Sequence, residues 1–168
     1  DEVFGSLSNG TADEKSKFNP SSPYAATKAA AELLINSYSI TYNSDVVITR
    51  CTNNFGPRQF TEKLIPKIII LANKNLKIPI YGEGKNIRDW IFVDNHCDAV
   101  EMALFNGKSG ESYNISADNE IDNITIVKKI LEIMNKSEDL IEFVEDRPGH
   151  DFRYSMSSKK IANELKWK

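Results

Sequence analysis

The sequence has 168 residues, enough for one domain with a sizeable core, and 40% of them are hydrophobic. The net charge of −3 comes without a basic block, so neither nucleic acid nor an anionic membrane surface is an expected partner. The apolar runs are too short to span a bilayer, so we expect no membrane partner of any kind.

Two cysteines, Cys51 and Cys97, show no spacing that indicates a disulfide framework. This usage is typical of reduced thiols and predicts a cytoplasmic protein. His96 and Cys97 are consecutive at a helix start and point apart, and His150 has no companion ligand, so we predict no metal site. The sequence opens with "DEVFG", without an initiator Met, and ends just after a helical pattern. We therefore expect a piece of a longer protein.

The first half of the chain predicts a loop, a long helix, a strand and a second helix. Residues 6–21 are polar and rich in turn formers, which indicates a surface loop. Residues 22–42 place Pro23 ahead of an alanine-rich run, which favours a helix. Its apolar residues go nearly all round, so we expect a sheet on one side and a partner helix on the other. "DVVITRC" predicts a buried strand, and "TEKLIPKIIILANKN" a helix that begins or breaks near Pro66.

The second half alternates strands with helices. "IPIYGEGKNIRDWIFV" predicts two strands around a glycine turn, and Asp94 is the expected N-cap of a helix that ends at Asn106. The remaining predicted elements are a strand at 112–115, a helix at 124–135, a strand at 141–144 and a helix from Ser157. This alternation predicts an α/β fold with some parallel pairing.

Tyr24 and Lys28 are the first candidate catalytic residues. They lie four positions apart on the predicted helix and therefore share a face. An ammonium near the phenol favours the phenolate, which can take a proton from an alcohol. The second Tyr-x-x-x-Lys, Tyr81 to Lys85, contains two glycines and lacks helical geometry. From spacing alone a structural pair is the more frequent interpretation, so the role of Tyr24 stays open at this point.

Polar residues at two other places form further candidates. Asp1 and Glu2 are adjacent carboxylates, which at the end of a strand could both reach one pocket and divide acid and base roles. Asn53 and Asn54 directly follow the "DVVITRC" strand, where α/β proteins bind ligands, although "NNFGP" also suits a simple turn. Basic residues recur in loops and at element ends, and arginine suits phosphate oxygens, although surface solvation explains each one singly: Arg58, Lys63, Arg88 and Arg147.

Taken in order, "DEVFG", "SSPYAATKAAAE", "TNNFGP", "EKLIP", "IPIYGEGKNIRDWIFVDNH", "GESYNI" and "DRPGHD" resemble the extended short-chain dehydrogenase/reductases, and within them the dTDP-glucose 4,6-dehydratase family. The resemblance implies the C-terminal part of an NAD-binding Rossmann fold plus a small nucleotide-sugar-binding domain. Residues 1–60 would be a remnant of the Rossmann domain with the catalytic helix. Residues 61–168 would be mainly the substrate domain, with some elements returning to the Rossmann sheet.

The resemblance also implies a reaction, the dehydration of dTDP-glucose to dTDP-4-keto-6-deoxyglucose in a homodimer, with transient oxidation by NAD. Tyr24 would take the C-4 hydroxyl proton, and Lys28 would tune Tyr24 and bind the nicotinamide ribose. Glu2 would take the C-5 proton, and Asp1 would protonate the departing C-6 hydroxyl. Asn54 would contact the cofactor.

The sugar and nucleotide would be bound by residues from several separate segments, namely Asn53, Lys63, Leu64, Pro79, Ile80, Tyr81, Arg88, Asn123, Asp146, Arg147, Pro148, Gly149 and His150. The family's Gly-x-x-Gly-x-x-Gly is absent from this sequence, so we expect the chain by itself to be inactive. Phe4 and Phe152 also depart from the commoner family residues. Two alternatives stay open: a dehydratase or epimerase of another nucleotide sugar, and a non-catalytic dimerisation or nucleotide-sugar-binding module.

Overall fold

The computed structural model describes every residue from 1 to 168. Five α-helices and seven strands alternate along the chain, as the α/β prediction requires. In chain order they are α1 (Pro23–Tyr42), β1 (Ile48–Cys51), β2 (Asn53–Phe55), α2 (Leu64–Asn73), β3 (Ile78–Tyr81), β4 (Ile87–Phe92), α3 (Val93–Asn106), β5 (Ser112–Ile115), β6 (Glu120–Asp122), α4 (Asn123–Ile133), β7 (Ile141–Val144) and α5 (Lys159–Leu165). Single 3-10 turns form at Glu2–Phe4 and Glu138–Leu140.

Most predicted elements are present, with small shifts at their ends. The strands β5 and β7 have the predicted bounds, and α1 begins directly after its cap, Ser22. Helix α3 begins two residues early, with Phe92 at its N-cap position, so the prediction of Asp94 as the N-cap is wrong. Asp94 lies in the first turn instead, where its carboxylate interacts favourably with the helix dipole. Helix α5 begins at Lys159 rather than Ser157. The short strands β2 and β6 were not predicted, since each exists through its pairing with β4.

The strands form three small groups, and parallel pairing dominates them. Strand β1 pairs in parallel with β5, and β3 pairs in parallel with β7. Strand β4 lies between β2, which is parallel to it, and β6, which is antiparallel. The predicted parallel pairing is therefore confirmed, and the crossovers run through α2, α3 and α4.

Three clusters of buried side chains hold these elements together. One packs α3 and α5 against β4 and β5, with Tyr113 and Ile115 fully buried and Val47 and Cys51 packed against it. A second joins α2, β3 and α4 and draws only on residues after position 63. A third packs the first 3-10 turn and α1 around Phe4 and Met156. None of the helices combines the length and hydropathy needed to cross a bilayer.

Helix α1 has only one covered face. Ala25, Ala29 and Glu32 are buried, whereas Leu33, Leu34 and Ile40 are among its exposed apolar side chains. The expected sheet side is present, because Glu32 is bonded to Arg50 of β1, whereas the expected partner helix stays a prediction. The covered face packs against the first 3-10 turn, loop 6–21, Met156 and Arg50 of β1.

Candidate active site

An open cleft of about 700 Å³ lies between the start of α1 and strands β3 and β4. This volume is within the range of about 300–1,000 Å³ that is usual for small-molecule sites. Its walls come from the first 3-10 turn, the N-terminal ends of α1, α2 and α4, strands β2, β3 and β4, and the segment 147–154. Segments far apart in sequence therefore converge on one concave surface.

Most of the residues predicted for the site line this cleft: Glu2, Tyr24, Asn53, Lys63, Leu64, Pro79, Ile80, Tyr81, Arg88, Asn123, Arg147, Pro148, Gly149 and His150. Four predicted residues do not line it, namely Asp1, Lys28, Asn54 and Asp146. The sequence analysis did not single out six lining residues: Ser22, Glu62, Lys67, Trp90, Asp151 and Tyr154.

Tyr24 lies in the first turn of α1, where local sequence fixes its position. The Ser22 hydroxyl accepts a hydrogen bond from the Ala25 amide at 3.1 Å, and Pro23 occupies the first helical position. The Tyr24 side chain is 61% exposed and opens into the cleft. Lys28 follows one turn later, is exposed, and forms no salt bridge within the chain. Its ammonium is therefore available to the phenol and to a ligand.

The two leading carboxylates are placed differently. Glu2 lies in a 3-10 turn that is anchored by the buried Val3 and Phe4, and its side chain lines the cleft. Asp1 lies behind it, with Oδ2 buried and without a hydrogen-bond partner. The expectation that both carboxylates reach one pocket from a strand end is thus wrong, because this backbone is a 3-10 turn and only Glu2 enters the cleft.

Asn53 and Asn54 form the start of β2, so their side chains point to opposite faces. Asn53 lines the cleft. The Asn54 amide nitrogen donates to the Thr52 carbonyl at 3.2 Å and to Cys51 Sγ at 3.3 Å, while its Oδ1 is buried without a partner. A buried amide oxygen without a hydrogen-bond donor lowers the stability of the fold. Asn54 Oδ1 is therefore suited to accept a hydrogen bond from a bound ligand.

Arg88 is a buried cation at the cleft. Its residue is only 6% exposed, and its guanidinium lies 4.1 Å from the centroid of the Tyr154 ring. The guanidinium donates to the carbonyls of Ile87 at 2.7 Å and of Asp151 at 2.8 Å, but it forms no salt bridge. Burial lowers the pKa of Arg88 from its ordinary value. A buried guanidinium without a carboxylate is suited to an anionic ligand such as a phosphate.

The turn at 146–150 presents Arg147 and His150 to the same cleft. Asp146 Oδ1 accepts from the Arg147 amide at 2.8 Å and lies 2.7 Å from His150 Nδ1. The hydrogen bond with His150 lowers the pKa of the Asp146 carboxyl below its usual range. The Arg147 guanidinium lies 4.9 Å from the Tyr81 ring centroid. Asp146 therefore shapes the turn from outside the cleft, whereas Arg147 and His150 face it.

Asp151 and Tyr154 are the most informative residues that the sequence analysis missed. Burial, together with the hydrogen bond to Asp151, raises the pKa of the Tyr154 phenol well above its ordinary value. Tyr154 therefore stays protonated, which makes Tyr24 a better candidate base than Tyr154. The only sequence signal is that Asp151 ends the "DRPGHD" motif and Tyr154 lies three positions after it. No group of three or more His, Cys, Asp or Glu side chains is arranged to hold a metal ion.

These features define a Rossmann-like α/β protein, a fold that solved structures of a dTDP-glucose 4,6-dehydratase and a UDP-glucuronic acid 4-epimerase share. The chain belongs to the GDP-mannose 4,6 dehydratase family, whose model matches residues 1–168. A dTDP-glucose 4,6-dehydratase of Streptomyces niveus is 46% identical over 165 residues, which cover 98% of this chain and 49% of that protein. The low-salt glycan biosynthesis protein Agl12 of Haloferax volcanii is 47% identical over 167 residues, which cover 99% of this chain and 54% of that protein.

The crystal structure of DesIV, a dTDP-glucose 4,6-dehydratase from Streptomyces venezuelae with NAD and TYD bound, superposes with a TM-score of 0.98. It is 40% identical, and the match covers 99% of this chain and 52% of that one. The resemblance expected from the sequence motifs and the α/β fold are therefore confirmed. The chain spans about half the length of the curated relatives it matches.

Proposed function

We propose that this chain, joined to a dinucleotide-binding half like that of its relatives, forms an enzyme that dehydrates dTDP-glucose to dTDP-4-keto-6-deoxyglucose with NAD. We call this joined protein the full-length protein. The observation that carries the proposal is the buried Arg88, a cation without a carboxylate partner, in the same cleft as Tyr24 and Glu2. The names of the relatives from Streptomyces niveus and Streptomyces venezuelae support this choice of substrate and cofactor.

NAD fits Tyr24, which lines the cleft, together with Lys28 and Asn54, which lie outside its lining. Tyr24, Lys28 and Asn54 would hold its nicotinamide end, since Lys28 is unpaired and Asn54 Oδ1 lacks a donor. When bound, NAD supplies the acceptor for hydride from the sugar C-4 and later returns that hydride to C-6.

The proton chemistry falls to side chains of this chain. Tyr24 takes the proton from the C-4 hydroxyl, and the positive charge of Lys28 favours the phenolate that does so. The resulting ketone acidifies the hydrogen on C-5, which Glu2 removes from within the cleft. Asp1 is assigned the proton that the C-6 hydroxyl needs to leave as water; its carboxyl lies outside the cleft in the described conformation and has to turn past Glu2 to deliver it. When the hydride reaches C-6, Glu2 gives a proton back to C-5, so one water is lost per substrate and the cofactor ends in its starting redox state.

The remaining lining residues bind the substrate. Arg88 and Arg147 supply charge to the diphosphate, with Lys63 at the rim. Asn53 and Asn123 offer amides to hydroxyl groups, and the Asn123 Oδ1 is buried without a partner. The nucleotide also contacts Leu64, the segment from Pro79 to Tyr81, and the turn from Asp146 to His150.

We assign residues 1–60 to the dinucleotide-binding domain and residues 61–168 mainly to the substrate domain. The core of α2, β3 and α4 supports the second part, and the pairing of β1 with β5 marks the return to the first. The exposed apolar residues of α1 support a homodimer. The free thiols of Cys51 and Cys97 support a cytoplasmic location.

Binding of dTDP to wild type and variants of the full-length protein tests the site. Arg88→Met should weaken dTDP binding about 10- to 100-fold, the equivalent of losing charged hydrogen bonds. Arg58→Met, which changes an exposed arginine outside the cleft, is the matched control and should bind like wild type. Arg147→Met gives a second test that leaves the buried Arg88 network intact. Equal affinities for all four proteins by calorimetry would contradict the proposed diphosphate site.

A further inference from the structure

The segment 151–157 is bonded to both walls of the cleft. On one side its backbone carbonyls accept hydrogen bonds from loop 6–21. The Leu7 amide donates to the Arg153 carbonyl and the Ala12 amide to the Ser155 carbonyl, both at 3.0 Å. On the other side the Ile87 amide of β4 donates to the Phe152 carbonyl at 2.8 Å. The segment therefore links the wall that carries the catalytic helix to the wall that carries Arg88.

Asp151 makes the side-chain part of this link. Its Oδ2 accepts from the Ser21 hydroxyl at 2.5 Å and from the Tyr154 hydroxyl at 2.9 Å, and the residue is only 7% exposed. Its backbone carbonyl accepts from Arg88 Nη2 at 2.8 Å. Ser21 directly precedes the cap of α1, three residues before Tyr24, and Asp151 directly follows His150. Asp151 thus joins the side of the cleft that carries Arg88 to the start of α1, which carries Tyr24.

We propose that Asp151 is a positioning residue, which sets the distance between the diphosphate-binding side chains and the Tyr24 phenol. This inference rests on the proposed function and deepens it, because it states how one site aligns both ends of a long substrate. The diphosphate is held by Arg88 and Arg147, whereas the proton to be removed lies at the sugar. A displacement of about 1 Å between the two ends can cost about 100-fold in rate while binding is kept.

The Ser21 and Tyr154 hydroxyls must both act as donors, because they share one oxygen of the Asp151 carboxylate. The raised pKa of Tyr154 keeps its phenol protonated, so it donates to Asp151 throughout the neutral range. The Tyr154 ring also stacks on the Arg88 guanidinium. Tyr154→Phe therefore removes the bond to Asp151 and preserves the stacking, which makes it a selective change.

The test compares Ser21→Ala, Tyr154→Phe and their combination in the full-length protein. These variants are chosen beside Asp151→Ala because the loss of a buried carboxylate can prevent folding. Ser155→Ala is the matched control, since the Ser155 hydroxyl donates to Thr11 Oγ1 at 3.1 Å and makes no contact with α1. Tyr113→Phe is the second control, because its buried hydroxyl interacts with Lys108 and Glu164.

We expect Ser21→Ala and Tyr154→Phe to lower kcat on dTDP-glucose by about 10- to 100-fold with the affinity for dTDP unchanged. The double variant should lose less than the product of the two factors, because both hydroxyls act through one oxygen. The two controls should keep the kcat of wild type. An unchanged kcat in the test variants would overturn the proposal. Equal losses of kcat and of dTDP affinity in the test variants would also overturn it. The same holds if the two controls lose as much kcat as the test variants.

Hydrogen exchange provides a readout that needs no turnover. Amides 24–28 in the first turns of α1 should exchange faster in Ser21→Ala and Tyr154→Phe than in wild type or Ser155→Ala. If the full-length protein fails to dehydrate dTDP-glucose but shows this difference, the proposed function is wrong and the link through Asp151 stands. If α1 exchanges equally in all variants, the link is refuted whatever the substrate.

Discussion

Glu32→Gln should destabilise this chain far more than the loss of an exposed ion pair. The Glu32 carboxylate accepts from Arg50 Nε at 2.8 and 3.0 Å and from Nη2 at 2.8 Å, and the two side chains are only 12% and 6% exposed. Arg50 also donates to Asn114 Oδ1 at 3.2 Å and lies 5.4 Å from the ring centroids of Phe4 and Phe18. This pair joins the covered face of α1 to β1.

The magnitude follows from burial. Removing one partner leaves the Arg50 charge buried without compensation, which costs about 3–5 kcal/mol in the free energy of unfolding. The pair of Lys85 with Glu83 is the comparison, since its side chains are 68% and 74% exposed. Glu83→Gln should therefore have a far smaller effect on the free energy of unfolding, because water screens an exposed ion pair. Replacing both buried partners, as Glu32→Leu with Arg50→Met, should recover most of the loss.

Urea unfolding of the 168-residue chain measures these differences. With a slope of about 2 kcal/mol per molar, Glu32→Gln should lower the unfolding midpoint by roughly 2 M, whereas Glu83→Gln should leave it nearly unchanged. The midpoint of the double apolar variant should lie close to that of wild type. Equal small shifts for Glu32→Gln and Glu83→Gln would refute the reasoning, because they would mean that the buried charge is compensated elsewhere.

Four further predictions concern chemistry and pH. In the full-length protein Tyr24→Phe should lower kcat by about 10²–10⁴-fold; near-normal formation of the 4-keto-6-deoxy sugar would contradict the role of Tyr24. Glu2→Gln should block elimination after oxidation, seen as a lasting absorbance of reduced nicotinamide; dehydration at the normal rate would remove Glu2 as the base. The 168-residue chain alone should show no tight NAD binding by calorimetry, because it holds no Gly-rich turn for the pyrophosphate; saturable tight binding would overturn this expectation. Because the pKa of Tyr154 is raised, the unfolded chain loses a proton above about pH 10 that the folded chain keeps, so the free energy of unfolding falls there. Tyr154→Phe should flatten that fall, whereas Tyr42→Phe, which changes an exposed tyrosine, should not; equal alkaline profiles would refute the shift.

The sequence predicted those parts of the fold that depend on local pattern. Strands β5 and β7 matched residue for residue, and the cap and first turn of α1 were expected from Ser22 and Pro23. Strands β2 and β6 were missed because three residues carry too little periodicity, and because their strand conformation is created by the distant β4. The apolar pattern of α1 was read correctly, but residues 1–168 leave most of that helix uncovered.

The same distinction applies to the cleft. The motif residues from Lys63 to His150 were predicted to bind together, and most of them share one concave surface. Asp151 was missed because its partner Ser21 is 130 positions away, so no local signal marks the pair. The separate placement of Asp1 and Glu2 was missed for another reason, since a two-residue motif does not distinguish a strand end from a 3-10 turn.

The proposed activity is tested most directly by mass spectrometry of the product that the full-length protein forms from dTDP-glucose in heavy water. Glu2 lies in an open cleft, so the proton that it takes from C-5 exchanges with solvent before C-5 is protonated again. The predicted product has lost one water and carries one deuterium bound to carbon at C-5. An isomer that has lost no water would indicate an epimerase and would contradict the proposal, as would unchanged substrate.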